Sequence, residues 1–186
     1  MKLKGMAALC RRSRRVIVFK QQRDDGVREQ FLSDGYGIYP AGDLPPLDEQ
    51  SVLAIFDQPL DGEWKATCSQ LPLWVDTDDL RAADEPLRPI ETSITHNGVT
   101  YRALLRENGT VLWTDEMFFK PLFGADVMTL YLRGTEQPYL VAKSGMFFAA
   151  AIPIVSVPYD AIMNMRKIMG LQMPDENPLH EEDDEE

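Results

Sequence analysis

The most regular hydrophobic pattern in this chain runs from Asn97 to Ile154. Val99, Tyr101, Ala103 and Leu105 alternate there with Thr100, Arg102, Leu104 and Arg106, which predicts a strand with one apolar and one mainly polar face. Asn97-Gly98 and Asn108-Gly109 bracket it and suit two-residue hairpin loops, because Asn and Gly tolerate the positive φ such turns require. Val127 to Leu132 and Pro138 to Lys143 read as strands joined around Gly134 to Gln137. After the Ser144-Gly145 turn, the unbroken apolar run from Met146 to Ile154 predicts a fully buried strand. Tyr159 to Met169 reads as a last helix, apolar at Ile162, Met163, Met165, Ile168 and Met169 and stopped by Gly170.

Upstream, Leu3, Met6, Ala7 and Cys10 recur at helical intervals and predict an amphipathic helix from Lys2 to Arg12. Val16 to Phe19 is an apolar, partly β-branched run that favours a buried strand. Turns at Asp25-Gly26 and Asp34-Gly35 separate it from strands at Val27–Leu32 and Tyr36–Tyr39, in the manner of a meander. Pro40 to Pro46 breaks the pattern, and Asp48 is the expected N-cap of a helix from Glu49 to Phe56 that buries Val52, Leu53, Ile55 and Phe56. Gln58 to Pro89 is proline-interrupted and acid-rich; Trp64 and the pair Leu73-Trp74 are expected to pin it to the core.

The two ends echo one another at an offset of about 70 to 75 residues: Gly26 with Gly98, Gly35 with Gly109, Ile38-Tyr39 with Leu112-Trp113, and Leu47 with Leu122. From each leucine the pattern continues in step, Val52, Ile55 and Phe56 matching Val127, Leu130 and Tyr131. A duplicated hairpin-plus-crossover unit explains this. The expected fold is therefore α+β: two related β-rich halves of antiparallel hairpins with short helices packed on sheet. The halves span 1–58 and 90–173, with an irregular connection at 59–89 and an acidic tail at 174–186 predicted to be disordered.

Composition adds limits. A chain of 186 residues with 44% hydrophobic and 26% charged residues suits one substantial core or two small ones. No run approaches the ~20 apolar residues of a membrane span, and the leader pattern of an exported protein is lacking, so a cytoplasmic protein with no membrane partner is expected. Cys10 and Cys68 sit in no ligand spacing and are expected to be reduced. The net charge of −11 is unevenly placed: seven of the 19 basic residues fall between Lys2 and Lys20.

The catalytic vocabulary is thin. His96 lies beside a hairpin turn and His180 in the acidic tail, which leaves nothing for a multi-histidine metal site or a His-centred triad. Gly35-Tyr36-Gly37 is a bare GxG that hairpin geometry accounts for, and no phosphate-binding loop accompanies it. Asp61, Glu63 and Lys65 have the acidic-x-Lys form of some metal nucleases, which need a further converging acid such as Asp57 or Asp48. Asp76 to Asp79 lacks the glycine and terminal glutamate of a calcium loop and reads as a solvated turn or cap. No cofactor and no small-molecule substrate is called for. The strongest functional signal is the cluster Lys2, Lys4, Arg11, Arg12, Arg14 and Arg15. It either presents cations to nucleic-acid phosphates or balances the acidic remainder. No aromatic residues are interleaved with it.

Through MKLKGMAALCRR, SDGYGIYP, LDEQSVLAIFD and QPYLVAKSGMFFAA the chain resembles a group of uncharacterised proteins of bacterial prophages and mobile elements, which implies an origin and no activity. Residues 115–154 are also similar to the C-terminal part of a sliding-clamp domain: Phe118 to Leu122, Val127 to Leu132, Pro138 to Lys143 and Met146 to Pro153 follow in the clamp order. That resemblance implies a sliding-clamp-like arrangement, a homo-oligomer, and DNA or replication proteins as partners. The reading that follows is a non-enzymatic binding protein, clamp-like and associated with DNA. An acidic inhibitor or decoy that mimics DNA toward a host protein is the alternative, and a metal-dependent nuclease the third.

Overall fold

The computed structural model describes residues 1–23, 25–59, 62–79, 81–124 and 128–168. In chain order the elements are α1 (Leu3–Ser13), β1 (Arg15–Gln22), β2 (Arg28–Ser33), β3 (Ile38–Pro40), α2 (Glu49–Ile55), β4 (Lys65–Gln70), β5 (Glu85–His96), β6 (Val99–Leu105), β7 (Val111–Asp115), β8 (Thr129–Arg133), β9 (Tyr139–Ser144), β10 (Phe147–Ile152) and α3 (Tyr159–Ile168), with a 3₁₀ turn at Glu116–Phe119 after β7. The strands form a ten-stranded mixed sheet in the order β4-β1-β2-β3-β10-β9-β8-β5-β6-β7, so the class is α+β. Its one parallel pair, β1 with β4, needs a crossover, and α2 supplies it.

The sheet does not close, yet it curls far enough for the segment leaving β10 to reach β7. Val155 N–H donates to the Trp113 carbonyl at 2.8 Å, and Thr114 Oγ1 donates to the Pro153 carbonyl at 3.0 Å. Inside the curl, Val16, Val18, Leu32, Leu104, Leu140 and Ile152 meet Met6 and Leu9 of α1, Val52 and Leu53 of α2, and Phe118 and Phe119 of the 3₁₀ turn in one core. Residues from both ends of the chain thus share one sheet and one core. Tyr39, fully buried, ties them further by donating its hydroxyl to the Phe118 carbonyl at 2.8 Å. Tyr39→Phe is expected to lower the unfolding free energy by about 1–2 kcal/mol, because it strands that buried carbonyl; urea denaturation reads this directly.

The two halves share a strand order but not strand direction or local structure, since β4 runs parallel to β1 while β8 runs antiparallel to β5. Two meanders, β1-β2-β3 and β5-β6-β7, each take their fourth strand beside the first, β4 next to β1 and β8 next to β5. The turns do not correspond. Asn97 and Gly98 both have positive φ, as a two-residue loop requires. Asn108-Gly109 instead belongs to a longer loop in which Arg106 N–H reaches the Thr110 carbonyl and only Gly109 has positive φ. Asp25-Gly26 follows that second pattern, with Arg23 N–H on the Val27 carbonyl.

After Leu47 and Leu122 the halves part. Val52 and Ile55 lie in α2 and Phe56 caps its end, whereas Leu130 and Tyr131 lie in β8, and Val127 falls outside the described residues. The cause is local: Asp48 Oδ1 accepts from Ser51 N–H at 2.7 Å while Ser51 Oγ accepts from Asp48 N–H at 2.8 Å, a reciprocal cap that starts a helix. The residue in register with Asp48 is Phe123, which has nothing to cap with.

Three other expectations need correction. The buried stripe of α1 is Gly5, Met6, Leu9 and Cys10, and Leu3 is exposed, because the helix rolls to bring Gly5 against the Lys120–Pro121 backbone. Met146 and Phe147 are exposed although they belong to the apolar run, since β3 is short and pairs with β10 only at Ala151. Leu104, placed on the polar face by alternation, is fully buried because both faces of the sheet are covered.

On the outer face, Phe19, Phe31, Ile38, Val141 and Phe148 are covered by the 71–84 connection through Val75, with α3 covering the β5-β6-β7 end. Leu73 is fully exposed and Trp74 half-exposed against Tyr139, so Val75 is the pin that Leu73-Trp74 was expected to be. Trp64 is buried beside Phe56, as expected. Among the described residues no helix is long and apolar enough to cross a membrane.

Candidate nucleic-acid interface

Because α1 buries Gly5, Met6, Leu9 and Cys10, its opposite side carries Lys4 and Arg11 into solvent, while Lys2 and Arg12, also exposed, flank the buried stripe near its two ends. Arg14 adopts a left-handed conformation at φ 52° and gives its N–H to the Cys10 carbonyl, so the chain reverses at once into β1 and Arg15 opens that strand. Arg11 and Arg12 in the last turn also face the negative end of the helix dipole.

The six cations have different fates. Arg12 is held by the carboxylate of Asp115, whose side chain is 6% exposed and whose other oxygen caps the 3₁₀ turn at Met117 N–H. Arg14 meets Glu63 at 3.3 Å, both groups exposed, a pair of little energetic weight. Lys2 places its ammonium 5.8 Å from the Phe123 ring centroid. Among the described residues Lys4, Arg11 and Arg15 make no ion pair, and Arg15 lies beside the Gly35 backbone.

At the C-terminal end of α1, two of the six, Arg12 and Arg15, border a cleft of about 620 Å³ that Asp34, Tyr36, Tyr101 and Asp115 also line, among others. Asp34 is buried at 4% exposure, and its Oδ1 accepts from Tyr36 N–H at 3.1 Å and Gly37 N–H at 2.9 Å. Its carboxyl is pushed above the ordinary aspartate range by burial, against those hydrogen bonds and the charge of Arg12. Burial, with the nearby Asp34 charge, also pushes the Cys10 thiol up to about 12, which keeps it protonated and unreactive. The Tyr39 phenol is raised well above its usual value by burial and is neutral at physiological pH. Two arginines, two phenol rings and two aspartates thus line one mouth, with Arg12 and Asp115 already paired.

The other candidates are dispersed. Asp61 and His180 lie outside the described residues, as does the acidic tail. Glu63 is turned to Arg14, Asp48 caps α2, and Lys65 opens edge strand β4. Asp76 forms a turn by accepting from Asp78 N–H, and Asp79 accepts from Phe148 N–H. His96 is 3.1 Å from Asp160 of α3. Among the described residues no group of three or more His, Cys, Asp or Glu side chains is arranged to hold a metal. The chain matches no protein-family model, no curated protein and no solved structure.

Sequence reasoning missed Tyr36, Tyr101, Asp34 and Asp115. One signal was present: an aromatic residue between two glycines, in Gly35-Tyr36-Gly37, is set at the tip of a turn, and Tyr36 is 67% exposed there.

Proposed function

We propose that this chain is a non-enzymatic binding protein that engages nucleic acid through the outer side of α1. The observation that carries the reading is the grouping of Lys4, Arg11 and Arg15 without carboxylate partners among the described residues, in a protein of net charge −11. Elsewhere Arg23, Arg81, Arg102, Arg106 and Arg133 are each met by a neighbouring acid. Although Lys20, Arg28, Lys65, Arg88 and Lys120 also make no ion pair among the described residues, the α1 group is set apart by falling within residues 4–15, on one helix and the strand start that follows it. A protein this acidic has carboxylates to spare, so cations left unpaired on one side are available to phosphates.

In the clamp-like form of this reading, subunits join edge to edge into a ring. That arrangement requires two contacts to give way: Cys68 N–H on the Glu49 carboxylate at the β4 edge, and Val155 N–H on the Trp113 carbonyl at the β7 edge. Light scattering separates the forms, a ring showing a defined multiple of the chain mass.

The deciding experiment is fluorescence anisotropy with DNA across a salt series. Lys4/Arg11/Arg15→Ala is expected to weaken association at low salt and to flatten the dependence of log K on log salt by about 3, near 0.9 for each phosphate contact removed from a duplex. Absence of association with any DNA at low salt, or an unchanged slope in the variant, removes this reading. Capture of a basic protein that depends on surface carboxylates then favours the decoy.

A further inference from the structure

Resting on the nucleic-acid reading above, we infer that the cleft beside α1 accepts one unstacked base of a single strand, against Tyr36 and Tyr101. The two phenols come from chain segments far apart and line one cleft of about 620 Å³, the size of a small-ligand site and too small for a duplex. Tyr36 is exposed, yet its turn is held in place: Asp34 Oδ1 accepts from Tyr36 and Gly37 N–H, and Ser33 Oγ accepts from Gly35 N–H at 2.9 Å. An exposed ring on a rigid turn offers a stacking face at little ordering cost. Arg15, which makes no ion pair among the described residues, lies along the same turn beside Gly35, so strand phosphates meet its charge where the base enters. A base within a duplex must first be unpaired and unstacked, while a single strand presents its faces freely.

Asp34, which lines the same cleft, adds a preference among bases. Asp34 Oδ2 has no hydrogen-bond partner among the described residues, although Oδ1 has two. A carboxylate oxygen so placed accepts from an exocyclic amino group, which cytosine and adenine carry and thymine lacks. The site therefore favours amino-bearing bases.

The test uses the full chain, labelled oligonucleotides of oligo-dC and oligo-dT about 12 nucleotides long, and a duplex of the same length. The expected result is tighter binding of oligo-dC than of oligo-dT. Tyr36→Ala should lose about tenfold affinity for the single strand, leave the duplex unaffected, and be restored by Tyr36→Phe. Asp34→Asn keeps the Oδ1 acceptor for the turn and replaces Oδ2 by a donor, so it should level or invert the dC-to-dT preference. Free dCMP should displace the strand only in large excess; displacement at comparable concentration overturns the strand in favour of a mononucleotide site. If Tyr36→Ala leaves single-strand binding unchanged while duplex binding persists, the base cleft is wrong and the α1 interface stands. If the dC preference survives Asp34→Asn in full, the assignment of Asp34 is wrong. No association with either strand form removes both readings.

Discussion

Asp84→Ala is expected to cost about 3–5 kcal/mol of unfolding free energy. Asp84 sits at 3% side-chain exposure between Arg133 and Lys143, themselves 6% and 5% exposed. Its carboxylate takes both arms of the Arg133 guanidinium, Nε and Nη2, at 2.7 Å each, and the Lys143 ammonium at 2.7 Å. Arg133 spends its remaining Nη1 on the carbonyls of Asp76 and Asp78, both at 2.8 Å, so one ion cluster staples the 71–84 connection to β8 and β9. Removing the carboxylate leaves Lys143 without an ion-pair partner among the described residues and Arg133 with only the longer 3.8 Å contact to Asp76, and the loss comes from the desolvation of these cations more than from the attraction removed. Urea denaturation should show the midpoint falling with the slope retained. Replacing Asp84, Arg133 and Lys143 together by apolar residues of similar volume should recover most of the loss, because no charge is then stranded. A surface pair makes the contrast: Arg14→Ala, which breaks only the exposed contact to Glu63, should barely move the midpoint.

The same cluster sets an acid dependence. Burial alone raises the Asp84 carboxyl, but hydrogen bonds and charge from Arg133 and Lys143 outweigh it and hold the group below the ordinary aspartate value. A depressed native pKa contributes stability at all pH above the unfolded value, near 3.9, and loses it as pH falls through the native value. The stability gap between the natural chain and Asp84→Asn should thus be full at neutral pH and shrink only below about pH 4. A gap that already closes near neutrality would mean that Asp84 is not the ionised centre of the cluster.

Gly5→Ala should also be clearly damaging, although it improves helix propensity. In an open helix this substitution stabilises by about 1 kcal/mol. Here the added Cβ would overlap the Lys120 carbonyl and lie 2.6 Å from Pro121 N, and both are backbone atoms with little freedom to yield. The helix must lift, which loosens the packing of Met6, Leu9 and Cys10 and the 2.6 Å bond from Lys2 N–H to the Pro121 carbonyl. Overpacking of this kind costs about 1–3 kcal/mol, so the steric term wins over propensity. Thermal denaturation should show a clear loss for Gly5→Ala, while neighbouring Lys4→Ala, exposed on the other side, stays within about 0.5 kcal/mol of the natural chain. A neutral Gly5→Ala would show that α1 is not seated on the Lys120–Pro121 backbone. The orientation of the basic side of α1 would then need revision.

Local signals in the chain were legible in proportion to how short their range is. Asn97-Gly98 was readable as a tight hairpin because positive φ at two successive positions is a property of those residues themselves. The start of α2 was readable from Asp48, whose cap is made within three residues. The outward set of cations on α1 followed from charge on an amphipathic helix, although the exact stripe did not, since its rotation is decided by Gly5 meeting a segment more than a hundred residues away.

The amino-acid sequence by itself therefore determined the α+β class, the meander turns, the capped helix and a basic first helix, each set by backbone preferences or periodicity along a few residues. Only the tertiary structure decided that β4 returns parallel to β1, that Arg133 and Lys143 share Asp84, and that Tyr36 and Tyr101 meet Arg12 and Arg15 at one cleft. Those juxtapositions join residues tens of positions apart and depend on how far the sheet curls. That curl is a collective result of strand twist and packing on both faces, and no single stretch of sequence encodes it.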